Sequence, residues 1–289
     1  MSELKLFNTT EKSTWCPGCG DFGILAGIKA ALAALDLMPH QAMIVSGIGC
    51  GSKLPHYMTV NAYNSLHGRA VPIAQGIKLA NHNLKVIIVT GDGDGYGIGA
   101  NHLMQGMRRN ADVTHIIENN QIYGLTKGQY SPTSDKGVVT SFSPEGSIEA
   151  ALNPLALALA AGATFISRTF AGDVKHMSAL IQEAVKHPGY SVVDTLQPCV
   201  TYNKVNTYDW YRERVYKVEE EAGYNPTDRD QAWTRAQEWG DRIPEGIIYQ
   251  DTSRATYESQ VSALQKGPLV QQELNGRYPD YDALKEALV

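Results

Sequence analysis

The sequence predicts an α/β fold in which a doubly wound, mostly parallel sheet carries helices on both faces and a C-terminal extension follows it. Short apolar runs rich in β-branched residues alternate along the chain with longer helical stretches, which is the pattern of repeated β-α units. With 289 residues, 43% of them hydrophobic and 19% charged, the chain can bury a large core. Glycine-rich turns follow two of the apolar runs, at the sheet edge where such folds bind ligands.

The strands and helices are predicted from the spacing of apolar residues. Continuous apolar runs of this length are typical of strands that are buried on both faces of a parallel sheet. They occur at residues 42–45, 85–90, 113–117, 164–166 and 191–195. Helical stretches precede or separate them, at residues 23–35, 73–81, 98–108, 148–161 and 174–185. Each helix returns the chain to the same end of the sheet, so we expect the strand C-termini to share one edge.

The character of the sequence changes after the last cysteine. Residues 202–238 are rich in Trp, Tyr and charged side chains and show little strand pattern. We therefore predict two units. Residues 1–203 form the ligand-binding domain, and residues 204–289 form a C-terminal extension that packs on this core or on a partner subunit.

Charge and hydropathy exclude several classes of protein. The net charge is -5 and the chain has no run of Lys and Arg, so nucleic acid is not an expected partner. The first twenty residues lack the apolar segment of a signal peptide. The most apolar stretch, residues 154–165, is about half as long as a membrane span. We expect a cytoplasmic protein with no membrane segment, in which clustered cysteines more often bind metal than form disulfides.

Four cysteines, which are all that the chain contains, have the number and spacing of one metal centre. Cys16 and Cys19 form a C-x2-C pair, and Cys50 and Cys199 lie far along the chain. Such a set closes a tetrahedral zinc site or holds a [4Fe-4S] cluster. Zinc would be structural, whereas a cluster beside an organic cofactor would make this an electron-transfer protein. The cysteines by themselves leave both interpretations open.

Two polar loops follow the second and third predicted strands. The first is Gly91-Asp92-Gly93-Asp94-Gly95, and the second runs from residue 118 to residue 124. Glycines let backbone N–H groups approach a diphosphate, and the helix predicted from residue 98 points its positive end there. Asp92, Asn120 and the backbone carbonyl of Ile122 offer the oxygen ligands that Mg²⁺ prefers. The loops therefore predict a metal-bound diphosphate.

The spacing of the two loops resembles the thiamine diphosphate and Mg²⁺ motif of thiamine-dependent enzymes. Gly91-Asp92-Gly93 is followed, after 25 intervening residues, by Asn119-Asn120. One helix and one strand must fit between the loops before the chain returns to the same sheet edge. The alternative is a pair of ordinary turns, since glycine turns after strands are common.

Taken together, the cysteines and the loops resemble the β subunits of the 2-oxoacid:ferredoxin oxidoreductases, above all the short two-subunit type that includes 2-oxoglutarate:ferredoxin oxidoreductase. The resemblance covers nearly the whole chain. Besides the diphosphate motif, the matching segments are Trp15-Cys16-Pro17-Gly18-Cys19-Gly20, Ser46-Gly47-Ile48-Gly49-Cys50, Leu66-His67-Gly68-Arg69-Ala70 and Tyr123-Gly124-Leu125-Thr126-Lys127-Gly128-Gln129. Softer matches are Gln197-Pro198-Cys199 and Trp210-Tyr211-Arg212-Glu213-Arg214.

The resemblance implies a fold of the thiamine diphosphate-binding type, with Mg²⁺ and one [4Fe-4S] cluster held by Cys16, Cys19, Cys50 and Cys199. It implies CoA-dependent oxidative decarboxylation of a 2-oxoacid, with 2-oxoglutarate to succinyl-CoA as the expected reaction, reversible in principle. Because the cluster uses every cysteine, an external ferredoxin must take the electrons. An α subunit is expected to supply the pyrimidine-binding domain and the activating glutamate, in an αβ or (αβ)2 assembly, because Glu118 is poorly placed for that role.

Further site residues are expected from the matched segments. His67, Arg69 and Lys53 are the catalytic candidates, because the first two lie in a glycine-containing loop and Lys53 follows Cys50 closely, as does His56. A solvated or structural side chain is the alternative for each. Asp94 is expected to act beside the metal ligands, and Thr126 and Lys127 to face the diphosphate or coenzyme A. The expected cofactor contacts are Gly49, Gly91, Asp92, Gly93, Asp94, Asn120, Ile122, Gly124, Leu125 and Thr126.

Three other functions remain open from the sequence. The first is a pyruvate or broad-specificity 2-oxoacid:ferredoxin oxidoreductase subunit. The second is a non-redox thiamine enzyme subunit with structural zinc. The third is a binding module in which the four-cysteine site only stabilises an α/β fold that docks a partner. Protein colour after anaerobic purification separates a cluster from zinc, and release of thiamine diphosphate on denaturation separates the second from the third.

Overall fold

The structure of the protein, a computed structural model, describes residues 3–272 and residue 286. Ten strands are present in this part of the chain: β1 Ala42–Ser46, β2 Asn61–Asn64, β3 Lys85–Gly91, β4 Val113–Asn119, β5 Ile122–Tyr123, β6 Gln129–Tyr130, β7 Phe165–Phe170, β8 Tyr190–Leu196, β9 Val215–Lys217 and β10 Ile243–Gln250. Its helices are α1 Asp21–Ala34, α2 Ala70–Ala80, α3 Ala100–Arg109, α4 Pro154–Ala161, α5 Val174–Lys186, α6 Tyr208–Arg212 and α7 Arg229–Ala236.

Eight of these strands form one sheet in the order β2-β1-β3-β4-β8-β7-β10-β9. Neighbouring strands are parallel except for β7 and β10, which are antiparallel. The C-terminal ends of β1, β3, β4 and β8 therefore meet at one edge of the sheet. The loops that leave this edge carry most of the side chains singled out in the sequence.

Successive strand residues face opposite sides of the sheet and build two apolar cores. On β3, Ile87 packs in the core that contains α1 and α5, whereas Ile88 packs in the core that contains α2, α3 and α4. Both side chains are fully buried. Helices thus cover both faces, which explains why the central strands are continuous apolar runs. The doubly wound, mostly parallel α/β fold predicted from the sequence is confirmed.

Two helices begin at later residues than the sequence predicts. The helix predicted over residues 148–161 begins at Pro154, because the Asn153 side chain accepts a hydrogen bond from the Ala156 N–H at 3.1 Å and caps it. The helix predicted from residue 98 is preceded by a π-helical turn, Gly93–Ile98, and α3 starts at Ala100. Helical structure therefore follows Asp92 directly.

Sequence periodicity did not indicate β9 and β10. Strand β10 contains Pro244, Glu245 and Gly246, which interrupt the apolar pattern, yet it pairs with β7. Strands from both predicted units consequently share one sheet, while the boundary at residue 203 stays a prediction. The predicted extension also includes residues 273–285 and 287–289, which lie outside the described residues. Among the helices that are described, none has the length and apolar character needed to cross a membrane.

Candidate active site

A cavity opens at the shared C-terminal edge of β1, β3 and β4. The loops after these strands line it, together with His67 from the loop before α2. The lining residues are Ile48, Gly49, Cys50, Gly51, His67, Gly91, Asp92, Gly93, Asp94, Glu118, Asn120, Ile122, Tyr123, Gly124, Leu125 and Thr126. All ten of the expected cofactor contacts, and His67 of the catalytic candidates, are therefore brought together.

Asp92 follows β3 and is held in place by two hydroxyl groups. Its Oδ2 accepts hydrogen bonds from Ser131 Oγ at 2.5 Å and from Thr133 Oγ1 at 2.6 Å. Only 2% of the residue is exposed, and this burial raises the pKa of the Asp92 carboxyl to about 6. The carboxylate is thus oriented before any ligand binds. Sequence reasoning missed Ser131 and Thr133, which lie in an irregular segment without a motif.

The glycines beside Asp92 leave room at the cavity. A Cβ atom built on Gly91 or on Gly49 would meet no other atom within 4 Å. A Cβ atom on Gly93 would instead lie 2.1 Å from the Tyr123 ring. Gly91 and Gly49 thus present bare backbone to open space, which lets N–H groups approach a diphosphate. At residue 93 a glycine is required because the Tyr123 ring packs against it. The donor set and the open space both fit a diphosphate with its metal.

Asn120 and Asn119 follow β4 and take different roles. The Asn120 Oδ1 accepts from the Ile122 N–H at 3.0 Å, so both predicted ligand groups lie in one tight turn at the cavity. Asn119 is buried and turned away, with its Nδ2 donating to Asp194 Oδ1 at 3.1 Å. Only Asn120 of the pair is placed to face a ligand.

Asp94 connects three loops around the cavity. Its Oδ1 accepts from the Gly68 N–H at 2.7 Å and the Ile48 N–H at 3.2 Å, and it lies 2.5 Å from His67 Nδ1. Its Oδ2 is buried without a hydrogen-bond partner, and burial raises the pKa of the carboxyl. A Cβ atom on Gly47 would lie 1.7 Å from that oxygen, so only glycine fits there. Asp94 therefore positions His67 and the loop after β1.

The four cysteines are free thiols, of which Cys50 lines the cavity. Cys50 follows β1, Cys199 follows β8, and Cys16 and Cys19 precede α1. A Cβ atom on the cavity residue Gly124 would lie 3.6 Å from Cys50 Sγ and 3.7 Å from Cys199 Sγ. Burial raises the pKa of Cys50 to about 11, with the charge of Asp21 adding to the effect. Thiols in this setting become thiolates when a bound metal supplies positive charge.

No three of these sulfur atoms are tightly grouped. Among the described residues, the cysteines form no set of three donor atoms within 4.8 Å of one another. Hydrogen bonds hold the surrounding loops, since Trp15 Nε1 donates to the Cys50 carbonyl at 2.7 Å and Gln197 Nε2 donates to Cys19 Sγ at 3.2 Å. These contacts join the segment of Cys16 and Cys19 to the loops that carry Cys50 and Cys199.

Two buried carboxyl groups lie beside the cysteines, and sequence reasoning did not single out Asp21. Both oxygens of Asp21 and both of Glu118 lack a hydrogen-bond partner. Burial raises the pKa of Asp21 to about 7 and that of Glu118 well above its usual value. Glu118 fits only because residue 51 is glycine, whose Cβ would lie 1.0 Å from Glu118 Oε2. Glu118 is thus packed against the Cys50 loop.

The other predicted site residues lie at the rim or outside the cavity. Lys53 Nζ donates to Thr14 Oγ1 at 3.3 Å and does not line the cavity. Arg69 is exposed, and its Nη1 donates to the Gly68 carbonyl at 3.3 Å. Thr126 lines the rim, with its hydroxyl donating to Gln129 Oε1 at 2.5 Å. Of the three catalytic candidates, His67 alone is brought to the cavity.

A buried polar network supports the site from beneath, and sequence reasoning missed it. Arg168 on β7 and Asp194 on β8 are register partners, and their side chains form a buried ion pair at 2.7 Å. Asp194 accepts from Asn119, and Asn119 Oδ1 accepts from Thr133 Oγ1 at 2.9 Å. Thr133 Oγ1 also lies 2.6 Å from Asp92 Oδ2, so its one hydroxyl hydrogen is shared between the two acceptors. Asp194 lies inside the predicted strand 191–195, and Arg168 follows the predicted strand 164–166, so charged residues at these positions were the available signal for this network.

Comparison with known proteins gives matches along most of the chain. The family described as "Thiamine pyrophosphate enzyme, C-terminal TPP binding domain" matches residues 40–195. The family of the C-terminal part of the pyruvate ferredoxin oxidoreductase beta subunit matches residues 199–266. The two matches adjoin near Cys199, which leaves β8 in the first and the later strands in the second.

Named relatives are similar over comparable lengths. The chain is 46% identical over 265 residues to 2-oxoacid:ferredoxin oxidoreductase 1, subunit beta, of Aeropyrum pernix, covering 89% of this chain and 83% of that one. It is 46% identical over 273 residues to the 2-oxoacid:ferredoxin oxidoreductase subunit beta of Saccharolobus solfataricus, covering 91% and 88%. It is 45% identical over 219 residues to the 2-oxoglutarate oxidoreductase subunit KorB of Mycobacterium tuberculosis, covering 74% and 58%.

A solved structure matches the whole fold. It is the 2-oxoglutarate:ferredoxin oxidoreductase from Magnetococcus marinus with 2-oxoglutarate, coenzyme A and succinyl-CoA bound, with a TM-score of 0.89 and 34% sequence identity. The match covers 100% of this chain and 96% of that one. The solved structure, the family matches and the named relatives are therefore consistent with one another.

Proposed function

The chain belongs to the β subunits of the 2-oxoacid:ferredoxin oxidoreductases, and on that premise we propose that its cavity holds thiamine diphosphate, Mg²⁺ and a [4Fe-4S] cluster. With an α subunit, the enzyme converts a 2-oxoacid and coenzyme A to an acyl-CoA and CO2 while ferredoxin takes the electrons. One observation carries this proposal. The Asp92 and Asn120 loops and the Cys50 loop line one cavity, at which Gly124 also adjoins Cys199.

The diphosphate half of the cavity matches what Mg²⁺ requires. Asp92 and Asn120 would provide side-chain oxygens and Ile122 its backbone carbonyl, which are hard ligands suited to this ion. Ser131 and Thr133 orient the Asp92 carboxylate, and the bare backbone at Gly91 leaves space for phosphate oxygens. Bound thiamine diphosphate would supply the electron sink for decarboxylation of the 2-oxoacid.

The spacing of the thiols favours an iron–sulfur cluster over zinc. Zinc–thiolate bonds of about 2.3 Å put the sulfurs of a tetrahedral site roughly 3.8 Å apart. No three of the four cysteine sulfurs lie within 4.8 Å of one another in the described chain, so a larger group fits better. Four cysteine ligands are also the usual set for a [4Fe-4S] cluster. We therefore assign Cys16, Cys19, Cys50 and Cys199 to the cluster, in a reducing, cytoplasmic setting.

The partner implied by the relatives' names is an α subunit. Apolar side chains are exposed around the cavity, with Leu66 77% and Ile98 55% exposed. A subunit that covers this rim would shield the cavity from water and would bring the pyrimidine-binding domain and the activating glutamate. The chain by itself is then expected to be inactive, in an enzyme of αβ or (αβ)2 composition.

We propose 2-oxoglutarate as the substrate and succinyl-CoA as the product. The structural relative from Magnetococcus marinus contains both, and the Mycobacterium tuberculosis relative is named for 2-oxoglutarate. Broader 2-oxoacid use, including pyruvate, is the second candidate, because the Aeropyrum and Saccharolobus relatives are named for 2-oxoacids in general. The test is ferredoxin reduction by the anaerobically purified αβ complex with coenzyme A and a panel of 2-oxoacids. The assignment would be contradicted if the complex were active but released no thiamine diphosphate on denaturation.

The open space at Gly91 gives a prediction that separates folding from cofactor binding. Gly91→Ala adds a methyl group where the ligand-free protein has no atom within 4 Å, so the stability of the cofactor-free protein should not change. The methyl group would occupy the diphosphate space, at an overpacking cost of about 1–3 kcal/mol or roughly 5- to 150-fold in affinity. Titration calorimetry of thiamine diphosphate into the assembled complex measures this loss.

The matched control for Gly91→Ala is Gly76→Ala. Gly76 lies inside α2, and its added methyl group also meets nothing within 4 Å. We expect unchanged cofactor affinity for this variant. Equal affinity of both variants for thiamine diphosphate would show that the space at Gly91 is not the diphosphate site.

Lys53 gives a prediction about substrate choice. A buried distal carboxylate, which 2-oxoglutarate has and pyruvate lacks, needs a charged partner, and Lys53 lies three residues after the cavity residue Cys50. To reach the cavity, the Lys53 ammonium must break its hydrogen bond to Thr14 Oγ1. Lys53→Met is expected to lower kcat/KM for 2-oxoglutarate by about 10- to 100-fold and that for pyruvate far less.

The control for Lys53→Met is Lys266→Met, at an exposed lysine in another part of the chain. Equal losses on the two substrates would assign Lys53 to the cofactors or the fold. Unchanged kinetics on both would leave Lys53 as the solvated side chain that its contact with Thr14 suggests.

A further inference from the structure

A second cluster of metal-ligating side chains lies outside the cavity, where α5 meets the C-terminal strands. Asp173 caps the N-terminus of α5, and His176 lies in the first turn of that helix. Glu219 belongs to the short 3-10 turn after β9, and Glu245 lies on β10. No residue of this cluster lines the cavity, so the proposed thiamine chemistry does not account for it.

The histidine stands between two glutamates. His176 Nε2 lies 2.7 Å from Glu219 Oε1, and His176 Nδ1 lies 3.4 Å from Glu245 Oε1. Asp173, His176 and Glu245 each offer one ligand atom, and these three atoms lie within 4.8 Å of one another. A single ion can therefore contact one imidazole and two carboxylates.

Two buried atoms of this cluster lack hydrogen-bond partners. The Glu245 side chain is 4% exposed, and its Oε2 has no partner. His176 Nδ1 is also buried without a hydrogen bond. A buried carboxylate oxygen without a hydrogen-bond partner is costly, and a bound cation at this point would satisfy it.

The charge of the cluster also calls for a cation. Lys217 Nζ lies 3.3 Å from Asp173 Oδ2, and Lys217 is the one lysine or arginine paired with the cluster among the described ion pairs. Three carboxylates and one ammonium leave two negative charges, which one divalent ion would balance. A Cβ atom on Gly246 would lie 2.4 Å from Glu219 Oε2, so the Glu219 carboxylate lies close to the backbone of β10.

We propose that Asp173, His176 and Glu245 bind a divalent transition-metal ion, with His176 coordinating through Nδ1. Glu219 would accept the Nε2 proton, and this bond fixes the tautomer in which the Nδ1 lone pair faces the ion. Metal-bound histidines usually carry such a carboxylate on their other nitrogen. Imidazole with carboxylates suits zinc and its neighbours rather than Mg²⁺.

The ion would act on structure rather than on the reaction. It would join α5 of the thiamine diphosphate-binding domain to β10, the strand that pairs antiparallel with β7. Metal bonds at this point would hold the C-terminal strands on the sheet edge.

The test is the zinc content of the anaerobically purified αβ complex, with iron measured in the same sample. After equilibration with Zn²⁺ in excess Mg²⁺ and thiamine diphosphate, we expect wild-type protein to hold one more zinc per β chain than Glu245→Gln or His176→Gln. Iron content should be equal in all three. His40→Gln, at an exposed histidine, is the matched control and should keep the zinc.

Zinc X-ray absorption on the wild-type complex provides a second measurement that does not depend on any variant. Coordination by nitrogen and oxygen at about 2.0–2.2 Å supports the proposal. A sulfur shell at about 2.3 Å would place the zinc at the cysteines and overturn it. Wild-type protein that takes up no zinc, or no more than Glu245→Gln, would also overturn it. Thiamine diphosphate binding and ferredoxin reduction are unaffected by either result, so this proposal and the proposed function fail separately.

Discussion

Cys199→Ala is expected to lose cluster iron and ferredoxin reduction together. Cys199 is the most distant of the four cysteines along the chain, yet its sulfur adjoins the cavity residue Gly124 as closely as that of Cys50 does. A [4Fe-4S] cluster needs a ligand at each iron, and the described chain has no fifth cysteine to replace one. The measurements are iron per chain, visible absorption before and after reduction, and the rate of ferredoxin reduction by the αβ complex.

Val200→Ala is the control for this variant, because it shortens the next side chain in the same loop and leaves every thiol. It should keep its iron and its colour. Four irons per chain and full electron transfer in Cys199→Ala would remove Cys199 from the ligand set. A colourless wild-type protein with stoichiometric zinc would instead support the structural-zinc alternative.

Asp92→Ala is expected to weaken thiamine diphosphate binding by more than about 100-fold. Even the groups that orient a metal ligand are worth about 10- to 100-fold in metal affinity, and Asp92 is assigned as the ligand itself. The fold should survive, because burial raises the pKa of Asp92 to about 6 and its charged form is therefore less favourable in the protein than in water. Calorimetry with thiamine diphosphate and Mg²⁺ on the αβ complex measures the affinity, and thermal unfolding measures the stability.

Two further variants bracket this result. Thr133→Val removes a hydroxyl that donates to Asp92 Oδ2 and keeps the carboxylate, so its loss should be smaller, about 10- to 100-fold. Asp241→Ala removes an exposed carboxylate elsewhere and should change nothing. Undiminished affinity in Asp92→Ala would rule out the assigned role.

The sequence by itself determined the fold class and the family, and it predicted the loops that line the cavity. Buried parallel strands are continuous apolar runs, and this local pattern located β1, β3, β4, β7 and β8. The thiamine motif is also local, because Asp92 and Asn120 follow neighbouring strands at a spacing that one helix and one strand require. Their meeting at one cavity follows from that pattern alone.

Only the tertiary structure decided which distant side chains meet. Ser131 and Thr133 reach Asp92, and Arg168 pairs with Asp194, through contacts between segments that no motif links. The Asp173, His176 and Glu245 cluster requires β10 to pair with β7, although Pro244 and Gly246 hide that strand in the sequence. Apolar periodicity indicates which face of an element is buried, but it does not indicate which other elements lie beside it. Partners, burial and pKa depend on those neighbours, so they appear only when the sheet order is known.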